Sequence, residues 1–401
     1  MSAGNAATGL PRISLKERDR RYRLVRKRMA EQGLDVLILP ANVARWEQMM
    51  ADSRYITTIG GFGTETLAIF PREGDVTAYV FNRADFWRRA QNWVKDVRDG
   101  RNHWADNAIE RLSELKFPLK RIGVSGLIGL IRAPDGIVPY TTVEKLKAAF
   151  PSAEIVNATS LIQDVRSVKS EEEIRLMRRS EAIIEKMIAA MTKAARPGAT
   201  ERHLYATLVH TMLENGGEQP SLLIFGTGRG IGHGQFVPTD RKLKKGDLVV
   251  NEIEARYAGY SAQSVAPISI GKPSKQYSDL LDTAIACFEN VREKMRAGET
   301  LGSIMDTYTR TVEREGKGRY GWAHPIMHAR GLGDESPALL GDSDVARFRR
   351  IELKPGMTFI LKPRVRLAKN GLSAQIGDTV LVTPKGGERL GKRKMALAVI
   401  G

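Results

Sequence analysis

Apolar positions recur along this chain with two different periods. Over residues 15–32 they fall at helical spacing: Tyr22, Leu24, Val25, Met29 and Ala30 stand among many basic residues, and Gly33 follows as a stop signal. The run "DVLILP" behind it reads as a short buried strand. Further strands are predicted at residues 55–58, 66–70, 76–81 and 121–125. Helical patterns lie at 85–93, 105–114 and 142–150. Strands that alternate with helices predict an α/β domain with a mixed or parallel sheet.

The pattern changes after residue 162. Ser170 followed by Glu173 makes a capping box for a long helix. Ile174, Met177, Ile184, Met187, Ile188 and Met191 then repeat at helical spacing, and a methionine stripe of this kind is read as core packing rather than a cofactor pocket. Helices are also predicted at 201–215, 278–296 and 301–315. The intervening stretches are strand-rich. In "GDLVVNEIEARY" the residues Asn251, Ile253 and Ala255 point one way and Glu252, Glu254 and Arg256 the other. Ala258-Gly259 reads as a tight turn, and a two-residue turn places Glu254 opposite Gln263 and Glu252 opposite Val265. Helices packed on antiparallel sheet make this half α+β. The organisation read from the chain is a flexible tail at 1–14, an α/β domain at 15–162 and an α+β domain at 163–401.

Composition narrows the classes. A chain of 401 residues is long enough for two or three domains with proper cores. Its apolar runs are too short to cross a bilayer, and the start "MSAGNAATGLPRIS" lacks the basic end and apolar stretch of a secretory signal. Cys287 is the one cysteine, which excludes an intramolecular disulfide and a thiolate metal cluster and fits a cytoplasmic setting. The formal charge is +17, from 63 Lys+Arg against 46 Asp+Glu. The basic residues are spread along the chain rather than gathered with aromatics, which disfavours nucleic acid as a partner. The glycine-rich "GTGRGIGHG" lacks the strand–turn–helix context of a phosphate cradle and reads as a loop.

Seven stretches in a fixed order carry a resemblance: "LIQDVRSVKSEEEI", "RPGATE", "PTDRKLKKGDLVV", "YAGYS", "HPIMHARGLG", "LKPGMTFILKP" and "GDTVLVT". Together they resemble the pita-bread fold of creatinase, prolidase, aminopeptidase P and methionine aminopeptidase. The first 151 residues resemble the N-terminal domain of the creatinase and prolidase branch. The resemblance implies a creatinase-like α/β domain followed by a pita-bread catalytic-type domain, and a homodimer.

In the metallopeptidases of that family two aspartates, a histidine and two glutamates hold two metal ions. Carried over by position, these fall on Glu252, Gln263, His328, Lys362 and Gly377. Hard divalent ions need anionic oxygen ligands, with neutral imidazole accepted. Glu252 and His328 suit that role, whereas Gln263 offers an amide oxygen and Lys362 is an ammonium that only donates. The expectation is therefore no metal and no cofactor. Creatinase, the family member that works without metal, moves a proton with a histidine, and His233 in "GHGQFVPTDR" stands near that place. The sequence reading is a metal-independent creatinase-like hydrolase or lyase that cleaves a C–N or related bond in a small anionic molecule. His233, His328 and Lys362 are its catalytic candidates; Glu252, Glu254, Gln263, His324, Arg364 and Glu335 are its substrate-binding candidates. Glu335 falls on or near a further histidine position of the family. His203 and His210 are read as structural. Two alternatives are a non-catalytic binding protein with a protein or polyanion partner, and an Xaa-Pro metallopeptidase with an unusual ligand set.

Overall fold

The computed structural model describes residues 9–101, 103–129, 133–219, 221–234, 237–316, 318–340, 342–369 and 371–401. The chain divides into two units. The first comprises residues 1–172 and 332–335, and the second comprises 173–331 and 336–401.

The first unit runs α1 (Leu15–Glu31), β1 (Val36–Leu39), α2 (Ala51–Thr57), β2 (Thr66–Pro71), β3 (Thr77–Val80), α3 (Ala84–Ala90), β4 (Asp96–Asp99), α4 (Trp104–Ser113), β5 (Arg121–Val124), α5 (Tyr140–Ala149), β6 (Glu154–Asn157) and α6 (Thr159–Ser167). Ser14 caps α1, its hydroxyl accepting from the Glu17 amide at 3.1 Å, and Gly33 ends it at φ 63°. Among the described residues the strands form a six-stranded sheet in the order β4-β3-β2-β1-β5-β6. The β1–β2 and β2–β3 pairs are antiparallel and the β1–β5, β3–β4 and β5–β6 pairs parallel, so the sheet is mixed, as the alternation of elements predicts. Val36, Ile38, Leu67, Ile69, Ile122 and Val124 pack its core with α4 and α5.

One predicted strand is a helix. Residues 55–58 lie in and just after α2, every residue of which is buried. A short apolar run that is buried on all sides shows no face, so its period cannot distinguish strand from helix. The turn ends at Thr58 with φ 60°.

The second unit begins in α7 (Glu171–Ala194) and continues with α8 (Glu201–Glu214), β7 (Leu223–Gly228), β8 (Leu248–Tyr257), β9 (Tyr260–Ser264), β10 (Ile268–Ile270), α9 (Lys275–Lys294), α10 (Leu301–Gly316), β11 (Tyr320–His324) and β12 (Met327–Arg330). β13 (Asp334–Leu339), α11 (Asp342–Phe348), β14 (Thr358–Leu361), β15 (Arg364–Leu367), β16 (Ser373–Gln375), β17 (Asp378–Val382), β18 (Gly387–Arg389) and β19 (Ala398–Ile400) complete it. Among the described residues there are three sheets. One has the order β19-β10-β8-β7 with β9 on β8, one is β11-β15-β16, and one is β13-β12-β14-β17-β18.

The methionine stripe is core. Ile184, Met187 and Met191 of α7 pack with Leu204, Leu208 and Met212 of α8 against Val249, Ile253 and Ala255 of β8. Each such fully buried side chain contributes roughly 1.5–3 kcal/mol. This packing fixes which way β8 faces. With Ile253 and Ala255 turned to the helices, Glu252, Glu254 and Arg256 must occupy the other face, yet none of the three is more than 5% exposed. Buried charges require partners, and those partners build the site. Among the described residues no helix is long and apolar enough to cross a membrane.

Candidate functional site

The β8–β9 hairpin turns at Ala258 and Gly259, both at positive φ (51° and 84°), the pair that a two-residue type I′ turn requires. Its register sets Glu254 opposite Gln263, as the alternating pattern predicts. The hairpin is then tied to β17: the Gln263 amide donates to Thr379 Oγ1 at 2.9 Å, Thr379 Oγ1 donates back to the Gln263 carbonyl at 3.1 Å, and Val265 bridges Gly377.

Lys362 follows directly on β14, its amide donating to the Ile326 carbonyl at 3.1 Å. Its Nζ donates to Glu252 Oε2 at 2.5 Å and to Gln263 Oε1 at 3.2 Å. Arg364, the first residue of β15, lies 3.7 Å from Glu252 Oε1 and donates through Nε and Nη2 to Gln375 Oε1 at 3.2 and 2.7 Å. The same Nη2 is 3.3 Å from His233 Nδ1. Four of the candidates thus meet in one place: Glu252, Gln263, Lys362 and Arg364, with His233 at the edge. Beside His233 lies a cavity of about 10 Å³, lined also by Asn251, Ser373 and Gln375, with room for about one water.

Electrostatics follow from this geometry. Burial alone pushes the Glu252 carboxyl up, but the charge and hydrogen bond of Lys362, with Arg364 and His233 adding, hold it below the usual carboxylate range. Burial, then the charge of Arg364, holds His233 below the usual imidazole range against the opposing pull of Glu252.

The other candidates are placed elsewhere. His328 is buried on β12 opposite Ile360 of β14. His324 ends β11 opposite Arg364 in register, and its Nδ1 accepts the Ile326 amide at 3.1 Å. Glu254 is ion-paired with Arg330 and lies 3.7 Å from Arg256. Glu335 groups with the first unit, where Lys169 and Arg166 donate to its two carboxylate oxygens and Arg166 also binds Asp52. Sequence reasoning missed Gln375, which fixes the Arg364 guanidinium and donates to the Lys362 carbonyl at 3.2 Å. Its one signal was a polar residue in the middle of "GLSAQIGDT".

The residues present do not fit the pair of divalent ions that the resemblance implies. An ammonium lies at hydrogen-bonding distance from both of the first two ligand positions. At the fifth, a Cβ built on Gly377 would come within 2.5 Å of Lys362 Cβ and 2.7 Å of the Leu361 carbonyl oxygen, so no carboxylate-bearing side chain fits there unless backbone moves. Among the described residues no group of three or more His, Cys, Asp or Glu is arranged to hold a metal ion.

The two-unit architecture, an α/β unit ahead of a pita-bread unit, matches the fold of solved prolidases. The description "Metallopeptidase family M24" matches residues 175–384, and "Creatinase/Prolidase N-terminal domain" matches residues 21–168. The chain belongs to metallopeptidase family M24. It is 27% identical over 267 residues to an Xaa-Pro dipeptidase of Pyrococcus horikoshii, covering 66% of this chain and 73% of that one. It is 24% identical over 369 residues to the uncharacterized peptidase YqhT of Bacillus subtilis, covering 90% and 95%. Its fold matches the X-Pro aminopeptidase of Thermotoga maritima with a TM-score of 0.78 at 20% identity, over 95% of this chain and 99% of that one. It matches the prolidase of Pyrococcus horikoshii with a TM-score of 0.75 at 22% identity, over 94% and 100%.

These relatives correct the functional reading drawn from the sequence. They are named as Xaa-Pro dipeptidases and peptidases within a metallopeptidase family, which overturns the metal-independent creatinase-like hydrolase or lyase. Nothing among them supports the non-catalytic binding protein either.

Proposed function

We propose that this chain is a hydrolase of the Xaa-Pro peptidase type, which cleaves a peptide bond of a short peptide at the polar set of its second unit. One observation carries the reading. At the place where the family keeps its ligands, the β8–β9 hairpin and the end of β14 hold a buried, mutually hydrogen-bonded polar set (Glu252, Gln263 and Lys362) rather than apolar filler. A pocket that has lost its chemistry has no reason to retain a buried charge pair whose desolvation is expensive. The finer part of the proposal is that these positions do not assemble the usual dinuclear site. His233, at the edge of this set through Arg364, remains the candidate proton carrier. A homodimer in the cytoplasm belongs to the same proposal, tested by light scattering of the purified protein and by cell fractionation.

The experiment is a panel of X-Pro dipeptides and tripeptides incubated with the purified full chain, free amino acid being measured by chromatography. Parallel arms contain chelator or added Mn²⁺, Co²⁺ or Zn²⁺. Turnover in either arm, lowered about ten-fold or more by Glu252→Gln, which corresponds to about 1.4 kcal/mol or more of barrier, is the expected result. No turnover of any peptide by protein with a native circular dichroism spectrum overturns the reading. Elemental analysis tests the finer part by itself: well under one ion per chain is expected, and two would overturn it while leaving the peptidase standing.

A further inference from the structure

We infer that the corner formed by Gln263, Lys362 and Arg364 is an oxyanion site, which takes the carboxylate of the ligand at positions where the family's pattern places cations. The inference rests on the peptidase reading for the identity of the ligand, a short peptide or its product, but not for the site itself.

Charge is the first ground. Lys362 and Arg364 both draw on the carboxylate of Glu252, and the three side chains are only 5%, 16% and 6% exposed. Arg364 thus lies 3.7 Å from a carboxylate that Lys362 already binds, and an added anion beside a guanidinium held out of water relieves the cost of its burial. Burial lowers the Arg364 guanidinium from its ordinary value with only Glu252 opposing it. A guanidinium nevertheless stays charged and answers by binding an anion rather than by losing a proton.

An unused donor is the second ground. Gln263 is fully buried. Lys362 can only donate, so the oxygen of the Gln263 amide must be the atom that faces it, at 3.2 Å. The amide nitrogen is thereby turned to the other side, and among the described residues Nε2 has no acceptor. A buried N–H₂ without an acceptor costs about 1–3 kcal/mol unless a ligand supplies one.

The third ground is orientation. Gln375 grips Arg364 through Nε and Nη2 at 3.2 and 2.7 Å, so the guanidinium is held before any ligand arrives. Nη2 also faces His233 Nδ1 at 3.3 Å. In the neutral ring that contact makes Nδ1 the acceptor and leaves the proton on Nε2, a further donor at the edge of the site. Buried donors on Gln263 and Lys362, beside a guanidinium held in place, suit a planar monoanion, and a carboxylate is that species.

Binding is read by calorimetry on the purified full chain, with glycyl-proline, glycyl-prolinamide, proline, prolinamide and inorganic phosphate as separate titrants. The expected result is that each carboxylate binds at least about ten-fold tighter than its amide, a difference of about 1.4 kcal/mol, and that Arg364→Gln abolishes the preference. Gln375→Leu, which leaves every charge in place and removes only the grip on Arg364, is expected to reduce the preference; it serves as the second variant if Arg364→Gln does not fold. Phosphate binding as tightly as the peptide, also lost in Arg364→Gln, identifies a free oxyanion as the ligand and leaves the site standing. Equal affinity for acid and amide overturns the oxyanion site, even where the peptides are hydrolysed. A carboxylate preference without hydrolysis overturns the peptidase reading and keeps the site.

Discussion

Replacing Lys362 with methionine keeps most of the side-chain volume and removes only the charge. Its Nζ lies 2.5 Å from Glu252 Oε2, with the two side chains 5% and 6% exposed. Breaking a buried pair by deleting one partner costs about 3–5 kcal/mol, because the remaining charge stays out of water. Here Arg364, 3.7 Å from the other oxygen of Glu252, retains part of the compensation, which puts the expected loss near the low end, about 3 kcal/mol. For a unit of roughly 150–250 residues that corresponds to a fall in Tm of about 6–12 °C. The partner substitution decides the cause. Lys362→Met combined with Glu252→Gln removes both charges and should recover most of the loss, giving a coupling of about 2 kcal/mol in a double-mutant cycle. Urea denaturation followed by circular dichroism at pH 7.5 measures all four proteins. A Lys362→Met protein within about 0.5 kcal/mol of wild type, the range of ordinary surface substitutions, would refute the reasoning, since it would mean that the ammonium is solvated and Glu252 is not its partner.

Three further outcomes follow from other parts of the second unit. Gly377→Ala brings a Cβ within 2.5 Å of Lys362 Cβ and 2.7 Å of the Leu361 carbonyl oxygen, so it should destabilise by about 1–3 kcal/mol in the same denaturation assay. Glu254→Gln removes the carboxylate that Arg330 and Arg256 share in a fully buried position; a loss of about 3–5 kcal/mol, or insoluble expression, is expected. Glu181 supplies the pH dependence. Burial, then the charge of Asp378, pushes its carboxyl up to about 8, against Arg393 and the hydrogen bond from Ser264. The folded chain therefore holds a proton that the unfolded chain releases above about pH 4.3, so this group costs stability progressively as pH rises from there to about 8 and by a constant amount beyond. Glu181→Gln keeps the acceptor for Ser264 and should be more stable than wild type by on the order of 5 kcal/mol at pH 8, with no difference near pH 4. Thermal melts across that range check it, and a difference independent of pH would show that Glu181 is ionised in the folded protein.

Local pattern made much of the fold legible. The α7 stripe and the alternation in β8 each bury one face against a partner, so their periods appear in the sequence. The turn at Ala258-Gly259 set the register of Glu254 against Gln263 because a two-residue hairpin leaves no freedom in it. Helix α2 was misread because all of its faces are covered. Family position alone brought Glu335 to the candidate list, and no local signal marks its partners Arg166 and Lys169, which lie 169 and 166 residues earlier in the chain.

The site itself was legible as a set of residue types but not as an arrangement. Lys362 and Glu252 are 110 residues apart, and nothing local to either states that one neutralises the other. The same holds for Gly377, which in the sequence looks like a glutamate simply deleted. In the folded chain the position is closed by Lys362 Cβ and the Leu361 carbonyl. This bears on how far the pocket has moved from its family. If the lysine were a lone substitution, Lys362→Glu would return an anionic ligand beside Glu252 and restore affinity for a divalent ion. Because the backbone at Gly377 has closed against β14, and Gln263 offers an amide in place of a carboxylate, that single reversal brings two carboxylates together without the remaining anionic ligands. Like charges at close range in a buried position repel by several kcal/mol at an effective dielectric of ~20. Lys362→Glu is therefore a destabilised protein and not a metalloenzyme.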